Sequence, residues 1–458
     1  MMNLLEIAKR AMNGPKMGDL DWYMSLYRKM QELEKRHRLS YPKADDGPIL
    51  LDSEQRTGYF QAAVDFVAEN GVYCTDTHRV IRFSEEEIRD SLRTAPGQSI
   101  IGEGAETRAI VKRRFDSGGD QPSPIVGGGI HAPIRQDLTN YVPQVFARMH
   151  RVDYMEGFTF SEVDGYEIYG PAVEAYASRR EAAWMREGMR KAGRPGLSIT
   201  YYPISTRAST LIAPIDPDFG LRRCDGILFT VLPGVVVNYE YITASIVYEQ
   251  YGISHRRNLG GGGGDFAAGP VGELVGFLST AFAGWLVYHD NHQMASLLPL
   301  AQILDEETNM IRFGLYATYS GCLGLKGMLR LATESMRQTA AGNTLVSGGL
   351  GRVESMTPTE VALVAEVADS AVRNRLRIRD AYDISNGFEE EYGVKDFFKT
   401  FEAPPAQRRL LTGWDGQDYG YGNLRSNYDF EKMQPTKKHP EDYVEARRVL
   451  MEHGLRLD

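Results

Sequence analysis

The chain has 458 residues, 42% of them hydrophobic and 25% charged, which is an ordinary globular composition with enough chain for a large core. Length alone admits one large barrel with extensions or two to three domains. A net charge of −9 argues against a nucleic-acid binder, because phosphate recognition needs concentrated Lys and Arg.

At the N-terminus, Glu6 interrupts the apolar run that an export signal requires. Asp21 to Arg38 places Trp22, Leu26, Met30 and Leu33 at helical spacing. Ser53 to Gly71 is a second amphipathic helix, ended by its glycine. Ser84-Glu-Glu-Glu87 has the capping-box form ahead of a short helix to about Arg93. Between them, Cys74-Thr-Asp-Thr-His78 gathers the residue types of a nucleophile or metal cluster, but the junction favours turn hydrogen bonds. Residues 1–120 therefore read as a helical extension.

From Pro124 the pattern changes. Pro124–Gly129, Tyr154–Phe160, Gly196–Tyr202, Ile227–Leu232 and Ile311–Tyr316 read as strands. Pro171–Ala192, Ile242–Tyr251, Val271–Tyr288, Leu325–Ala341 and Thr359–Arg377 read as helices, the last introduced by Thr357-Pro-Thr-Glu360. Strand–helix alternation implies a parallel sheet with right-handed crossovers. The expected fold is α/β: a (β/α)8 TIM-type barrel over residues 121–400, with a doubly wound sheet as runner-up. Residues 401–458 form a C-terminal extension, with a loop at Gly413–Asn423 and a helix from Pro440 to His453. The uncharged stretch Leu274 to His289 is too short and too polar to span a bilayer, so no membrane association is expected. Three cysteines, Cys74, Cys224 and Cys322, without C-x-x-C spacing fit a reducing compartment, and a cytoplasmic location is expected.

In parallel α/β folds chemistry gathers at the C-terminal ends of strands. Thr200, Tyr201 and Tyr202 stand at one such end, after the turn Lys191-Ala-Gly-Arg-Pro-Gly196. Tyr201, Tyr202, Tyr239, Tyr241, Tyr316 and Tyr319 all fall near strand ends, where aromatic faces can cage a methylammonium group or simply pack. The five glycines Gly260–Gly264, followed by Asp265, allow close backbone approach to a large ligand without being a P-loop. His289 and His292 lie three apart at a helix end; a hydrogen-bonding role at the barrel mouth outweighs a metal site, and no metal is expected.

Gly71-Val-Tyr-Cys-Thr-Asp-Thr-His-Arg-Val-Ile-Arg-Phe-Ser-Glu-Glu-Glu-Ile88 and Ala192-Gly-Arg-Pro-Gly196 resemble the monomethylamine:corrinoid methyltransferase family of methylotrophic methanogens, and the likeness runs nearly end to end. The resemblance implies a homo-oligomeric barrel that presents the methyl group of a small methylated substrate to cobalt(I) in a cognate corrinoid protein. The corrinoid (cobalamin) would belong to that partner, none being bound tightly by this chain. In the family a pyrrolysine after the Gly-Arg-Pro-Gly turn takes up the amine; here that position is Thr200. The family's two site glutamates fall near Leu228 and Arg257, its glutamine near Gly314 and its tyrosine on Tyr316. A pyrrolysine-free route suits a donor that already carries positive charge, such as a quaternary amine or sulfonium, because its methyl is electrophilic without covalent activation.

The expected reaction machinery is then Thr200, Asp225 and Tyr316. Tyr201, Tyr202, Tyr239, Glu240 and His289 hold the donor, and Gly261, Gly262, Gly263 and Asp265 face the corrinoid. Two rival readings are a metal-dependent barrel hydrolase or lyase using His289 and His292, and a non-catalytic relative that binds a corrinoid protein.

Overall fold

The computed structural model describes residues 4–39, 47–94, 97–129, 134, 136–158, 160–229, 235–253, 255–258, 264–266, 297–309, 311–315, 324–347, 357–394, 428–436 and 438–457. Its centre is one sheet of eight described strands: β1 (Ile125–Gly128), β2 (Tyr154–Glu156), β3 (Ser198–Tyr201), β4 (Gly226–Phe229), β5 (His255–Asn258), β6 (Gly264–Phe266), β7 (Ile311–Leu315) and β8 (Leu345–Ser347). The hydrogen-bonded order is β5-β4-β3-β2-β1-β8-β7-β6. The last strand pairs with the first, Leu345 opposite Ile125, which is the strand order of a barrel and not of a doubly wound sheet, with β5 and β6 at the two ends of the hydrogen-bonded order. All pairings are parallel except β6 against β7, where Gly264 faces Phe313 and Asp265 faces Arg312 in antiparallel register.

Five strands begin and end within a few residues of the expected runs, and three were not read from the sequence. Leu345–Ser347 is only three residues long, and His255-Arg-Arg-Asn258 offers neither an apolar run nor alternation. Gly264–Phe266 was expected as part of a glycine loop, yet its backbone pairs as a strand. The expected helix Val271–Tyr288 and the Gly413–Asn423 loop lie outside the described residues.

Helices follow the strands as the crossover rule requires, except after β5, which only five residues separate from β6. α1 (Leu4–Asn13), α2 (Asp19–Arg36), α3 (Ser53–Asn70) and α4 (Glu85–Arg93) build the N-terminal extension. The chain continues with α5 (Val142–Ala147), α6 (Pro171–Lys191), α7 (Ala208–Ile212), α8 (Tyr239–Tyr251), α9 (Leu297–Glu307), α10 (Gly324–Ala340), α11 (Pro358–Arg373), α12 (Ile378–Glu391) and α13 (Lys438–Glu452). The capping boxes at Ser84–Glu87 and Thr357–Glu360 are formed. A further box, Asp52 with Gln55, starts α3, and Gly71 ends it with φ +77°. The expected Thr359–Arg377 helix divides: it stops at Arg373, Arg375 turns with φ +54°, and α12 begins at Ile378.

The side chains sort by strand face. Val126, Met155, Ile199, Tyr201 and Ile227 point outward and pack on α5, α6 and α8 through Phe146, Trp184, Met185 and Tyr248. Ile125, Tyr154 and Ile311 point inward, where they meet Ile101 and Ile110. Those two isoleucines come from the hairpin Gln98–Ile101/Arg108–Val111, which closes the N-terminal end of the barrel. The Glu103 amide donates to Gly196 O at 2.8 Å, and Arg194 pairs with Glu106 at 2.6 Å. A Cβ on Gly196 would stand 2.2 Å from Glu103 O, so only glycine fits there. Gly-Arg-Pro-Gly196 is thus a scaffold contact, about 13 Å along the strand from Thr200 at ~3.3 Å per residue.

The N-terminal extension is sewn to the barrel by a small sheet in which Val72–Cys74 pairs antiparallel with Arg79–Ile81 and parallel with Val236–Val237, just beyond β4. His78 is spent on this join: its Nδ1 lies 2.9 Å from the Tyr73 hydroxyl and 3.2 Å from Asp19. Among the described residues, no helix is long and apolar enough to cross a membrane.

Candidate functional site

With the hairpin filling one end, the C-terminal ends of the strands form the mouth. Register sets what meets there: Tyr154 pairs with Ser198, Glu156 with Thr200, and Thr200 with Gly226. Paired residues on adjacent strands share a face about 4.8 Å apart, so Glu156 and Thr200 project together. Both are buried, at 1% and 2% exposure. The Tyr154 hydroxyl donates to Glu156 Oε1 at 3.0 Å and the Tyr202 hydroxyl at 3.4 Å.

Space for this carboxylate comes from β1. A Cβ on Gly127 would lie 2.6 Å from the Tyr154 hydroxyl and 2.7 Å from Glu156 Cδ; one on Gly129 would lie 2.9 Å from Glu156 Cβ. Glycines at the end of β1 leave room for Tyr154 and Glu156. Beyond β3, the loop is tied down by Glu174, which accepts from Ser205 at 2.6 Å and Thr210 at 3.2 Å.

The expected site residues separate. Thr200 and Tyr202 meet at the mouth, with Glu156, Tyr154 and Gly127. Tyr201, between them in sequence, points the other way; it is wholly buried among the outer helices, which is the consequence of strand alternation. Burial first, then the neighbouring Glu181, raises its phenol well above the usual tyrosine range. Asp225 immediately precedes β4, whose first residue Gly226 is level with Thr200, but it is turned to the outer face, as Ile227 is. It pairs with the buried Arg186 and accepts the Ile199 amide at 2.7 Å and the Arg222 amide at 2.6 Å. Burial raises its carboxyl although Arg186 opposes the shift. Asp225 is a clamp between strands and does not reach the mouth.

Tyr239 and Glu240 open α8 at the rim. The Tyr239 amide donates to Asp76 at 2.7 Å, and Glu240 accepts the Ala208 amide at 2.5 Å. Tyr316, His289, Gly261, Gly262 and Gly263 lie outside the described residues, as does His292. Asp265 is placed by its backbone in β6.

The sequence reading missed Glu156 and Gly127. The available signal was an acid two residues after a tyrosine in a short apolar strand, with three glycines closing the strand before it. Among the described residues no three His, Cys, Asp or Glu side chains gather as a metal would require.

The family model described as monomethylamine methyltransferase MtmB matches residues 2–255, from the first helix through β4 and into β5. The chain belongs to the monomethylamine methyltransferase MtmB family. The MtmB family comprises corrinoid-dependent methylamine methyltransferases, which pass a methyl group to a corrinoid on a partner protein. The Methanosarcina mazei MtmB is 24% identical over 479 residues, covering 97% of this chain and 96% of that one. MtmB1 of Methanosarcina acetivorans is 32% identical over 193 residues, or 42% of this chain. The crystal structure of a hydroxylamine MtmB complex superposes with a TM-score of 0.80 over 99% of this chain at 21% identity, and that of Methanosarcina barkeri MtmB with 0.79. These superpositions establish the TIM-like α/β barrel.

Proposed function

We propose that this chain moves a methyl group from a cationic methylated amine to the cobalt of a corrinoid protein, and does so with Thr200 where pyrrolysine would act. The observation that carries this reading is Glu156, a buried carboxylate fixed by two phenol hydroxyls beside Thr200 in the mouth of a barrel of this family. A carboxylate in a low-dielectric mouth offsets the charge of an ammonium ion, and the rings of Tyr154 and Tyr202 add faces that attract it.

The corrinoid is a second substrate, delivered by its own protein; its cobalt(I) supplies the electron pair that bonds the methyl carbon. As that bond forms, the carbon–nitrogen bond breaks, its pair stays on nitrogen, and the amine leaves neutral. A quaternary nitrogen needs no proton and no covalent carrier for this. What the chain supplies is orientation: Glu156 and Thr200 hold nitrogen so that the methyl points out of the mouth, which converts an encounter into an in-line displacement. Thr200 is a contact to the donor and not a base.

Steady-state transfer by the wild type and Glu156→Gln tests the reading. The expected result is transfer by the wild type and a KM for the donor raised about tenfold or more in the variant, as loss of a charge-assisted contact of roughly 1.5–3 kcal/mol implies. An unchanged KM would remove Glu156 from the donor site, and no transfer by the wild type would remove the function.

A further inference from the structure

Glu181 sits in the middle of α6, wholly buried, on the face that carries Ala177, Ala182 and Met185. A carboxyl group there costs stability unless its oxygens are used. One is used: Oε1 accepts the Phe158 amide at 3.1 Å, immediately past the end of β2. The chain makes room for that contact, since a Cβ on Gly157 would stand 2.8 Å from Oε1 and 2.9 Å from the Tyr202 amide. The other oxygen and the Tyr201 hydroxyl are both buried and make no hydrogen bond of ordinary geometry, but the two groups are near neighbours, each acting on the other's ionisation. Burial drives the Glu181 carboxyl well above the ordinary range, against the pull of the Phe158 amide and of Tyr201.

The two contacts fall at telling positions. Phe158 is two residues beyond Glu156, and Tyr201 is one beyond Thr200. The same group, reaching through the barrel wall from outside, therefore touches both strands that present the candidate site. We infer that Glu181 is a positioning residue, whose carboxyl group braces the ends of β2 and β3 and so sets the separation of Glu156 and Thr200. The inference rests on the reading of this mouth as the donor site. It concerns a residue that touches neither donor nor corrinoid.

The test compares Glu181→Gln, which keeps an acceptor and an N–H donor in the same shape, with Glu181→Met, which keeps the volume and loses both. Glu181→Gln is expected to retain kcat within about twofold. Glu181→Met is expected to lose about tenfold or more in kcat with KM less affected, because misplacement of aligned groups falls on the transition state. Equal kcat in wild type and Glu181→Met overturns the inference, as does an equal loss in both variants. Should Glu181→Met fail to fold, Gly157→Ala presses on the same carboxyl from the strand side and is expected to give the same fall in kcat; wild-type kcat in it overturns the inference. Crystal structures of the wild type and whichever of these two variants folds keep the inference separable from the functional reading: the Gly157–Phe158 segment is expected to shift relative to Tyr201 in the variant. An unmoved segment overturns the bracing role even if no donor is ever found.

Discussion

Gly127→Ala places one methyl group against the candidate site without touching any polar atom of it chemically. The added carbon would stand 2.5 Å from Tyr154 Cζ, 2.6 Å from its hydroxyl and 2.7 Å from Glu156 Cδ. Carbon contacts are comfortable near 3.5 Å, so the carboxylate must retreat by about 0.8 Å. Overpacking of this kind costs ~1–3 kcal/mol, a modest fall in stability for a protein of this size. A displacement approaching 1 Å at a positioning group is far more costly to rate, on the order of tenfold to a hundredfold. The expected outcome is a fall of that size in kcat/KM for methyl transfer, with a melting midpoint lowered by only a few degrees. Gly58→Ala on α3, whose new carbon meets the flexible end of Leu39 at 3.3 Å and the His37 carbonyl oxygen at an ordinary 3.8 Å, serves as control. Wild-type kcat/KM in Gly127→Ala would refute the argument that Glu156 must stand where it does.

Asp225→Ala strands the buried Arg186 and the Ile199 amide. It is expected to cost ~3–5 kcal/mol in denaturant unfolding while the folded fraction keeps its kcat; loss of kcat at unchanged stability would return Asp225 to the chemistry. Glu334, buried in α10 beside Arg330 and Arg337, is pushed up to about 7, by burial first and against the pull of those two guanidiniums. The folded state therefore holds this proton more tightly than the unfolded chain, whose carboxyl titrates near 4.5. Its contribution to stability is present at low pH and lost as pH rises through about 7. The difference in melting midpoint between wild type and Glu334→Gln is expected to widen against the wild type from about pH 4.5 to 7, and curves that stay parallel would contradict it.

Much of the fold was legible because it rests on local rules. Capping boxes at Ser84 and Thr357 and the run of apolar strands from Pro124 each reflect chemistry within a few residues. β5 was not legible, because a strand can be as polar as His255–Asn258 when its neighbours complete the sheet. The site was legible only at Thr200 and Tyr202. Alternation sends Tyr201 outward, yet the strand's register against β2 is a long-range property that no single strand discloses. Asp225 illustrates the same limit from the other side: an acid next to a strand reads alike on either face, and here it is turned to the outer one, toward Arg186. Glu156 became visible only when Thr200 was paired with it and Gly127 was seen to make its space.

One spectrum tests the central claim most directly. Purified protein and a cobalt(I) corrinoid protein are mixed in a single turnover with, in parallel, mono-, di- and trimethylamine, quaternary methylammonium compounds and sulfonium donors. The account predicts that the cobalt(I) absorption is lost to the methylated corrinoid with at least one permanently cationic donor. Persistence of cobalt(I) with every donor, from a protein shown to be folded, would contradict it.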